Sequence, residues 1–477
     1  MREVITLQFG ENANYVGAHF WNLQDAYTDD GRVHELFAER SNAQPTPRVL
    51  VFDAAANYGS LATEESLQSL GNDQLDKEQA LWSGQTEVHR QPLHAKHPID
   101  PNSPSQQNVR FWSDIGQTKY APHSVHVVSG VEFGNSLGEM NTHQEGMSVF
   151  AGTDGRSDML EGGFRVFAEE CDHLQGFHVL SDAFGGFGGF SSGFLARVRD
   201  EYPKAPIVLY SVGRTEPTRR LRGAQLMDAA VSVAANTDVV SMHVPLFAPS
   251  SQTNACVEMA DADFSQISSL MAANVAQTSH CLQEGRRVLD EIVGQVTQQE
   301  YYPLAETLLA PGLCVPDIDS RSSTNIHTQL AEADRLVESS FVGCSTGAVS
   351  QVTTTFGQLI VDRGTNMSSL ISDRYPAWAY LRDTKLVQLP RAFPQIFPRI
   401  GRHGFQVDPS VPHPTADVKQ LCMAGMLCTS GASLGYLAQL HASMQTEHSR
   451  HFKDYERETV REYRGTLDRA IDKYSAL

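Results

Sequence analysis

The residues with the clearest chemical possibilities are glycines. Gly185-Gly-Phe-Gly-Gly-Phe-Ser-Ser-Gly193 follows the apolar run Gly176-Phe-His-Val-Leu180 and precedes Phe194-Leu-Ala-Arg-Val-Arg-Asp-Glu-Tyr202. That order reads as strand, glycine-rich loop, helix. Glycines there let backbone N–H groups approach an anion at the positive end of a helix. The plainer role is a tight strand-to-helix turn. Gly10 and Gly17 lie between the alternating strand 3–8 and a helix starting near Ala18, with Phe20, Trp21 and Leu23 as its core positions. Asp53 ends the apolar strand Arg48-Val-Leu-Val-Phe-Asp53, where α/β sheets present their ligand crevice. Its plainer role is a helix or turn cap.

No other constellation suggests catalysis. Cys171 stands beside Asp172 and His173, but neighbours on a helix point to different faces. Cys171 also belongs to an apolar stripe with Phe164, Phe167, Ala168 and Leu174, so it packs as a small hydrophobe. The seven cysteines (Cys171, Cys256, Cys281, Cys314, Cys344, Cys422 and Cys428) are scattered and odd in number, which fits free thiols in a reducing compartment. None has zinc spacing with histidine, and His89, His94 and His97 fall in a polar stretch without metal-site regularity.

Composition limits the partners. A net charge of −19 over 477 residues, with 41% hydrophobic and 19% charged residues, describes a soluble globular chain that repels nucleic acid and anionic membrane. Arg219, Arg220 and Arg222 form a single small basic cluster, read as a solvated turn. No run of about 18 apolar residues is present, so no transmembrane helix is expected. The opening Met1-Arg-Glu-Val-Ile-Thr-Leu-Gln8 has the pattern of a strand, not of a signal or transit peptide. A cytoplasmic chain follows as the expectation.

The elements alternate. A helix over Phe164–Gln175 leads into the strand before the glycines. A strand over Ala205–Val212, a helix over Met227–Ala235 and a strand over Asp238–Pro245 follow. Such alternation predicts an α/β fold, a mostly parallel sheet flanked by helices. This first domain takes residues 1–250, with a polar insertion at about 83–108 and, over 115–160, one clear strand at Val125–Val128. Residues 251–430 hold helices over Phe264–Ser279 and Cys281–Val296, then a smaller α+β second domain with a proline-rich run, Gln388–Pro398. Residues 431–477 form a C-terminal helical segment running from about Leu434 to Ala476.

The run Met1–Gly10 with Asn14, Gly17-Ala18 and Phe20-Trp21 resembles the opening of tubulin. So do Arg48–Asp53, Glu170-Cys-Asp-His-Leu-Gln-Gly-Phe177 and Glu201-Tyr-Pro203, in matching order and approximate spacing. Trp112-Ser-Asp114, the long polar stretch before it and Glu169–Phe177 are similar to the Misato family. That resemblance implies a tubulin-like fold and a part in mitochondrial distribution, morphology and mitochondrial DNA inheritance. It also implies peripheral association with mitochondria through proteins of the outer surface or cytoskeleton, with self-association open.

Carried over residue by residue, the resemblance places a GTP cradle on Gly10, Glu11, Asp53, Gly185, Gly186, Gly188, Gly189, Ser191 and Gln225. Several of the family's groups are altered. Glu11 and Asn12 replace a glutamine and a cysteine, and Ala55 replaces the second acid of a magnesium-organising pair. Phe187 and Phe190 add bulk beside the phosphates. Ser268 takes the place of a base-contacting asparagine. A neighbouring subunit's hydrolytic acid falls within Gly285-Arg-Arg-Val-Leu-Asp290, which keeps Asp290, or within Gly294-Gln-Val-Thr-Gln-Gln299, which has none. Glutamine and valine are no general bases. The leading expectation is a non-catalytic tubulin-like protein with no confirmed cofactor. A GTP-binding protein with slow or no hydrolysis and a polymerising GTPase are the alternatives.

Overall fold

In the computed structural model, described residues are 2–28, 35–38, 45–59, 109–128, 140–152, 159–214, 223–247, 257–259, 263–299, 301–312, 337–338, 355–364, 379–398, 400, 418–446, 455 and 457–475. The polar insertion at 83–108, the arginine cluster, His89, His94, His97, Cys256, Cys314 and Cys344 lie outside them.

Six parallel strands form the first sheet: β1 (Glu3–Phe9), β2 (Val49–Asp53), β3 (Val125–Val127), β4 (Leu174–Asp182), β5 (Ile207–Gly213) and β6 (Met242–Phe247). Their spatial order is β3-β2-β1-β4-β5-β6, and every pairing is parallel. The order reverses between β1 and β4, the kind of position at which an α/β sheet opens a crevice beyond its strand ends. Asp53 and Asp182 are the last residues of β2 and β4.

Helices cover both faces of the sheet. On one face α1 (Glu11–Thr28) packs against α7 (Phe264–Ser279), in a core holding Val4, Trp21, Val49 and Leu270. On the other, α3 (His143–Gly152) lies on α5 (Gly186–Glu201). The alternate strand residues Ile5, Leu7 and Phe9 face that side, as the two-residue period of a strand requires. Short helices α2 (Trp112–Ile115) and α4 (Arg165–Glu169) and the longer α6 (Gly223–Asn236) complete this region.

After α7 come α8 (Leu289–Thr297) and a mixed second sheet of β7 (Glu306–Pro311), β8 (Val337–Glu338), β9 (Thr355–Arg363), β10 (Ala379–Asp383) and β11 (Met423–Ser430), ordered β8-β7-β11-β9-β10. Helices α9 (Ala432–Thr446) and α10 (Arg457–Ser475) pack against each other and against α6. Tyr474 ties α10 to the segment before β7: its hydroxyl accepts from Leu304 N at 3.0 Å and donates to Leu304 O at 2.9 Å.

Several element limits differ from expectation, each for a local reason. Helix α1 starts at Glu11, not Ala18, because a carboxylate from another strand caps its first turn. The helix expected over Phe164–Gln175 stops at Glu169. Leu174 pairs with Glu3, and the His173 N–H donates to the Glu3 carboxylate at 2.9 Å; sheet pairing overrides helical spacing there. Strand β6 begins at Met242, since α6 runs to Asn236 and its end is closed by N–H donation from Val239 and Val240 to the Asn236 carbonyl. Tight turns occupy 280–285, so the second central helix is shorter than expected. The 115–160 region adds α2, mostly ahead of it, and α3 to the one strand foreseen. The expected glycine loop is largely helix: α5 starts at Gly186 and leaves Gly185 as its cap.

Candidate functional site

The first turn of α1 begins where β1 ends. Gly10 has φ +92°, a conformation L side chains rarely adopt. A Cβ there would also lie 2.6 Å from the Asp182 carboxyl and 2.9 Å from Phe187 Cβ. A helix start leaves N–H groups without intrahelical partners. Here Asp182 Oδ1 accepts from Ala13 N at 2.8 Å, and Oδ2 accepts from Asn12 Nδ2 at 3.1 Å. The side chain is 7% exposed. Burial, with the charges of Asp53 and Glu11 adding to it, pushes the Asp182 carboxyl well above its ordinary range. Asp182 and Asp53 therefore crowd the same helix end with half-buried Glu11.

Asp53 is fully buried and occupied on both oxygens. Oδ2 accepts from Asn14 Nδ2 at 2.8 Å and Trp112 Nε1 at 3.0 Å. Oδ1 accepts from Ala54 N and Asn57 Nδ2, both at 2.8 Å. One carboxylate thus ties β2 to α1 and to α2. Burial raises its pKa to about 6 against those hydrogen bonds. Ala55, in the place of a second acid, is exposed.

The glycines of α5 face another helix. Gly186, Gly189 and Gly193, at i, i+3 and i+7, share one helical face. A Cβ at Gly186 would sit 2.3 Å from Met140 Cβ, at Gly189 1.7 Å from the His143 carbonyl oxygen, and at Gly193 2.6 Å from the Phe150 ring. Gly146 of α3 returns the contact, 1.7 Å from the Gly186 carbonyl. Gly188 turns away, with its Cβ position 3.0 Å from the Asp182 carbonyl. Gly185, at φ +78°, donates its N–H to Asp228 Oδ2 at 3.1 Å. Phe187 is 8% exposed and meets Phe190 edge-on at 6.3 Å. Phe190 is fully buried among Phe9, Phe52 and Phe150.

The hydroxyls beside the glycines are turned inward as well. Ser191 Oγ lies 2.7 Å from Ser181 Oγ and donates to the Gly188 carbonyl at 2.9 Å. Ser192 Oγ donates to the same carbonyl, accepts from Asn236 Nδ2 at 2.9 Å and meets His143 Nε2 at 3.1 Å. Burial lowers the His143 pKa to about 4, so its ring is neutral near pH 7. Gln225 is half-buried on α6. Ser268 is buried in α7 and donates to Ser265 O at 3.1 Å.

The two candidate acidic loops separate clearly. Gly285–Asp290 opens α8, with Asp290 exposed in its first turn. Gly294–Gln299 closes the same helix, with Gln298 and Gln299 both left-handed at φ 55° and 59°. Cys171 Sγ donates to Phe167 O at 3.1 Å, and burial raises its thiol to about 11, which leaves no thiolate for catalysis near pH 7. Cys281, Cys422 and Cys428 are buried and form no disulfide. Among the described residues no three His, Cys, Asp or Glu side chains are grouped to hold a metal.

The structure brings Gly10, Glu11 and Asp53 together at the start of α1, and gathers Gly185 to Ser191 in the first turns of α5. Sequence reasoning missed Asp182, Asp228 and His143. Asp182 carried a readable signal, a carboxylate at a strand end directly ahead of the glycine run. As they stand, these residues do not fit a polyphosphate: the α1 donors hold Asp182, and the α5 glycines hold α3.

Comparison with known proteins fixes the lineage. Residues 2–107 match the Misato Segment II tubulin-like domain, and residues 101–281 match a tubulin domain. The chain is a tubulin-like protein of the Misato family. Protein DML1 of Gibberella zeae is 30% identical over 298 residues, covering 58% of this chain and 59% of that protein. Protein dml1 of Aspergillus clavatus is 30% identical over 269 residues, 52% of this chain and 54% of that protein. Protein misato of Drosophila melanogaster is 27% identical over 254 residues, 44% of each. The matches span about half the length of these relatives. For this Misato-family chain, no helix among the described residues is long and apolar enough to cross a membrane.

Proposed function

We propose that this chain is a non-catalytic member of its family, acting in mitochondrial distribution and partitioning, mitochondrial morphology and mitochondrial DNA inheritance. It works through contacts with proteins of the mitochondrial outer surface or cytoskeleton, from the cytoplasm and peripherally to the organelle. The process rests on the family resemblance. The non-catalytic part rests on one observation: Asp182 already accepts the Ala13 N–H at the start of α1. A polyphosphate arriving there meets buried carboxyl groups, and like charges at short range oppose it unless a metal intervenes.

Equilibrium titration of the purified chain with GTP and GDP, with and without magnesium, tests this reading. The expected outcome is no saturable binding at millimolar nucleotide. Saturable micromolar binding that disappears in Gly186→Trp would overturn it in favour of a GTP-binding protein with slow or no hydrolysis. That second reading draws on one observation, the left-handed glycines kept at both turns, Gly10 and Gly185. Co-sedimentation with isolated mitochondria tests the location. Binding should disappear when the organelle surface is stripped with protease, and binding that survives stripping would argue against a protein partner.

A further inference from the structure

Three helix N-termini meet at the candidate site, and each has a carboxylate of this same chain bonded in its first turn or just ahead of it. Asp182 serves α1 through Ala13 N and the Asn12 side chain. Asp228, from α6, accepts from Gly185 N at the cap of α5 and reaches His143 N at 3.5 Å in the first turn of α3. Glu145 Oε2 accepts from Asn141 N at 2.7 Å and Thr142 N at 3.0 Å ahead of α3. The three starts adjoin one another. The Gly10 Cβ position touches both Asp182 and Phe187, and Gly186 N donates to Met140 O at 3.0 Å.

We propose that Asp182 and Asp228 are built-in occupants of the anion positions at the starts of α1 and α5, standing where a ligand's phosphates would otherwise stand. Helix starts gathered at one point attract negative charge. If nothing fills them, buried N–H donors are left unsatisfied, which is expensive. A chain that folds without a ligand must therefore supply its own acceptors. Asp182 does so from a strand end already aimed at the crevice. The approach is close enough that position 10 has room only for glycine. A phosphate entering would have to displace a carboxyl group from the N–H donors it now holds. The inference deepens the proposed function and takes its biological meaning from it.

The test is chemical rescue with formate, which restores the carboxyl group removed. The wild-type chain, Asp182→Ala and Asp182→Asn are melted in sodium formate and in sodium chloride at equal ionic strength. Formate should raise the midpoint of Asp182→Ala by roughly 1–2 °C beyond chloride, the shift for a ligand about tenfold above its dissociation constant in a chain of this size. Wild type and Asp182→Asn should show no such difference. Hydrogen exchange at the Ala13 amide is the second readout, faster in Asp182→Ala and slowed again by formate. If Asp182→Ala fails to fold, Asp182→Ser replaces it, with the same expectations. An equal formate effect in all variants, or none in the folded truncation, overturns the inference. GTP binding to wild type with rescue intact would place the nucleotide elsewhere, which sinks the proposed function and spares this inference. No binding and no rescue does the reverse.

Discussion

Two buried carboxylate centres in this molecule are built on opposite plans. At the start of α1, Asp53 and Asp182 are held by amides, an indole and backbone N–H groups, with no cation bonded to them. At the junction of the central helix and the second sheet, Asp383 at the end of β10 is held by cationic or imidazole groups. Its Oδ2 accepts from His280 Nε2 at 2.8 Å and from Arg286 at 3.0 Å, while Lys385 N donates to Oδ1 at 2.9 Å. The His280 hydrogen bond and the Arg286 guanidinium hold Asp383 well below the usual carboxylate range, whereas burial pushes Asp53 and Asp182 up. Burial also keeps the His280 pKa down at about 4 despite its acidic neighbour, so near pH 7 Arg286 carries the opposing charge. The first centre orients elements through neutral donors. The second fastens two parts of the chain with an ion pair, as Gln283 does by donating a side-chain hydrogen bond from Nε2 to Gln24 Oε1 of α1.

The largest effect expected from breaking the first centre comes through its glycines. Gly189→Leu must push the His143 carbonyl away from a position where even a Cβ would sit at 1.7 Å. Backbone cannot yield as a flexible side chain does. The expected cost is about 3 kcal/mol or more, at the upper end of overpacking effects, read by urea denaturation. A near-neutral result would show that α3 is loosely attached and that the glycines are free to serve another purpose. Breaking the second centre with Asp383→Ala should cost about 3 kcal/mol, since it removes the carboxylate that partly buried Arg286 and His280 share. A loss below about 0.5 kcal/mol, the level of an exposed pair, would remove the proposed contrast between the centres.

Much of the fold was legible because its signals are local. Strand periodicity gave β1, β2 and β5 nearly at their observed limits, and alternating elements gave the parallel sheet. The start of α1 was not legible from its neighbours, because the group that caps it lies 169 positions away, between Ala13 and Asp182. The helix over 164–175 was misread for a related reason: Leu174 has the right helical spacing, but its pairing partner is Glu3. The glycine run was placed correctly between strand and helix, yet its contact was not. Nothing near Gly189 in sequence states that the His143 carbonyl will lie against it. Phe187 and Phe190, read in the sequence as bulk beside phosphates, lie in the core that the sheet face and α3 bury.

The two centres also differ in the sign of their pH dependence, a smaller effect than losing either framework. Burial raises the Asp53 pKa to about 6 in the folded chain, above the ordinary carboxylate range. A raised folded value means stability fully present below about pH 4 and lost as pH rises through about 6. At about 1.4 kcal/mol per unit, the loss approaches 3 kcal/mol. Asp383 is lowered, so its contribution is present above about pH 4 and falls away at more acid pH. Denaturation free energies across pH 3–7 should therefore lose slope between pH 4 and 6 in Asp53→Asn, and lose the acid limb in Asp383→Asn. Parallel profiles for the two variants would mean that both centres sense protons alike.

The smallest effect asks whether a glycine's surroundings or glycine itself decides the outcome. Gly294 lies inside α8, and a Cβ there meets nothing within 4 Å. It has no left-handed φ, so alanine enters without strain. Alanine restricts the unfolded chain and is the better helix former, so Gly294→Ala should stabilise by about 0.5–1 kcal/mol. The same one-carbon change at Gly189 or Gly146 should destabilise, because there the new atom meets a carbonyl. Opposite signs from one substitution would assign the α5 glycines to close helix contact. A gain at Gly189 matching that at Gly294 would mean α3 stands farther off in solution, and would reopen the glycine turn to a ligand.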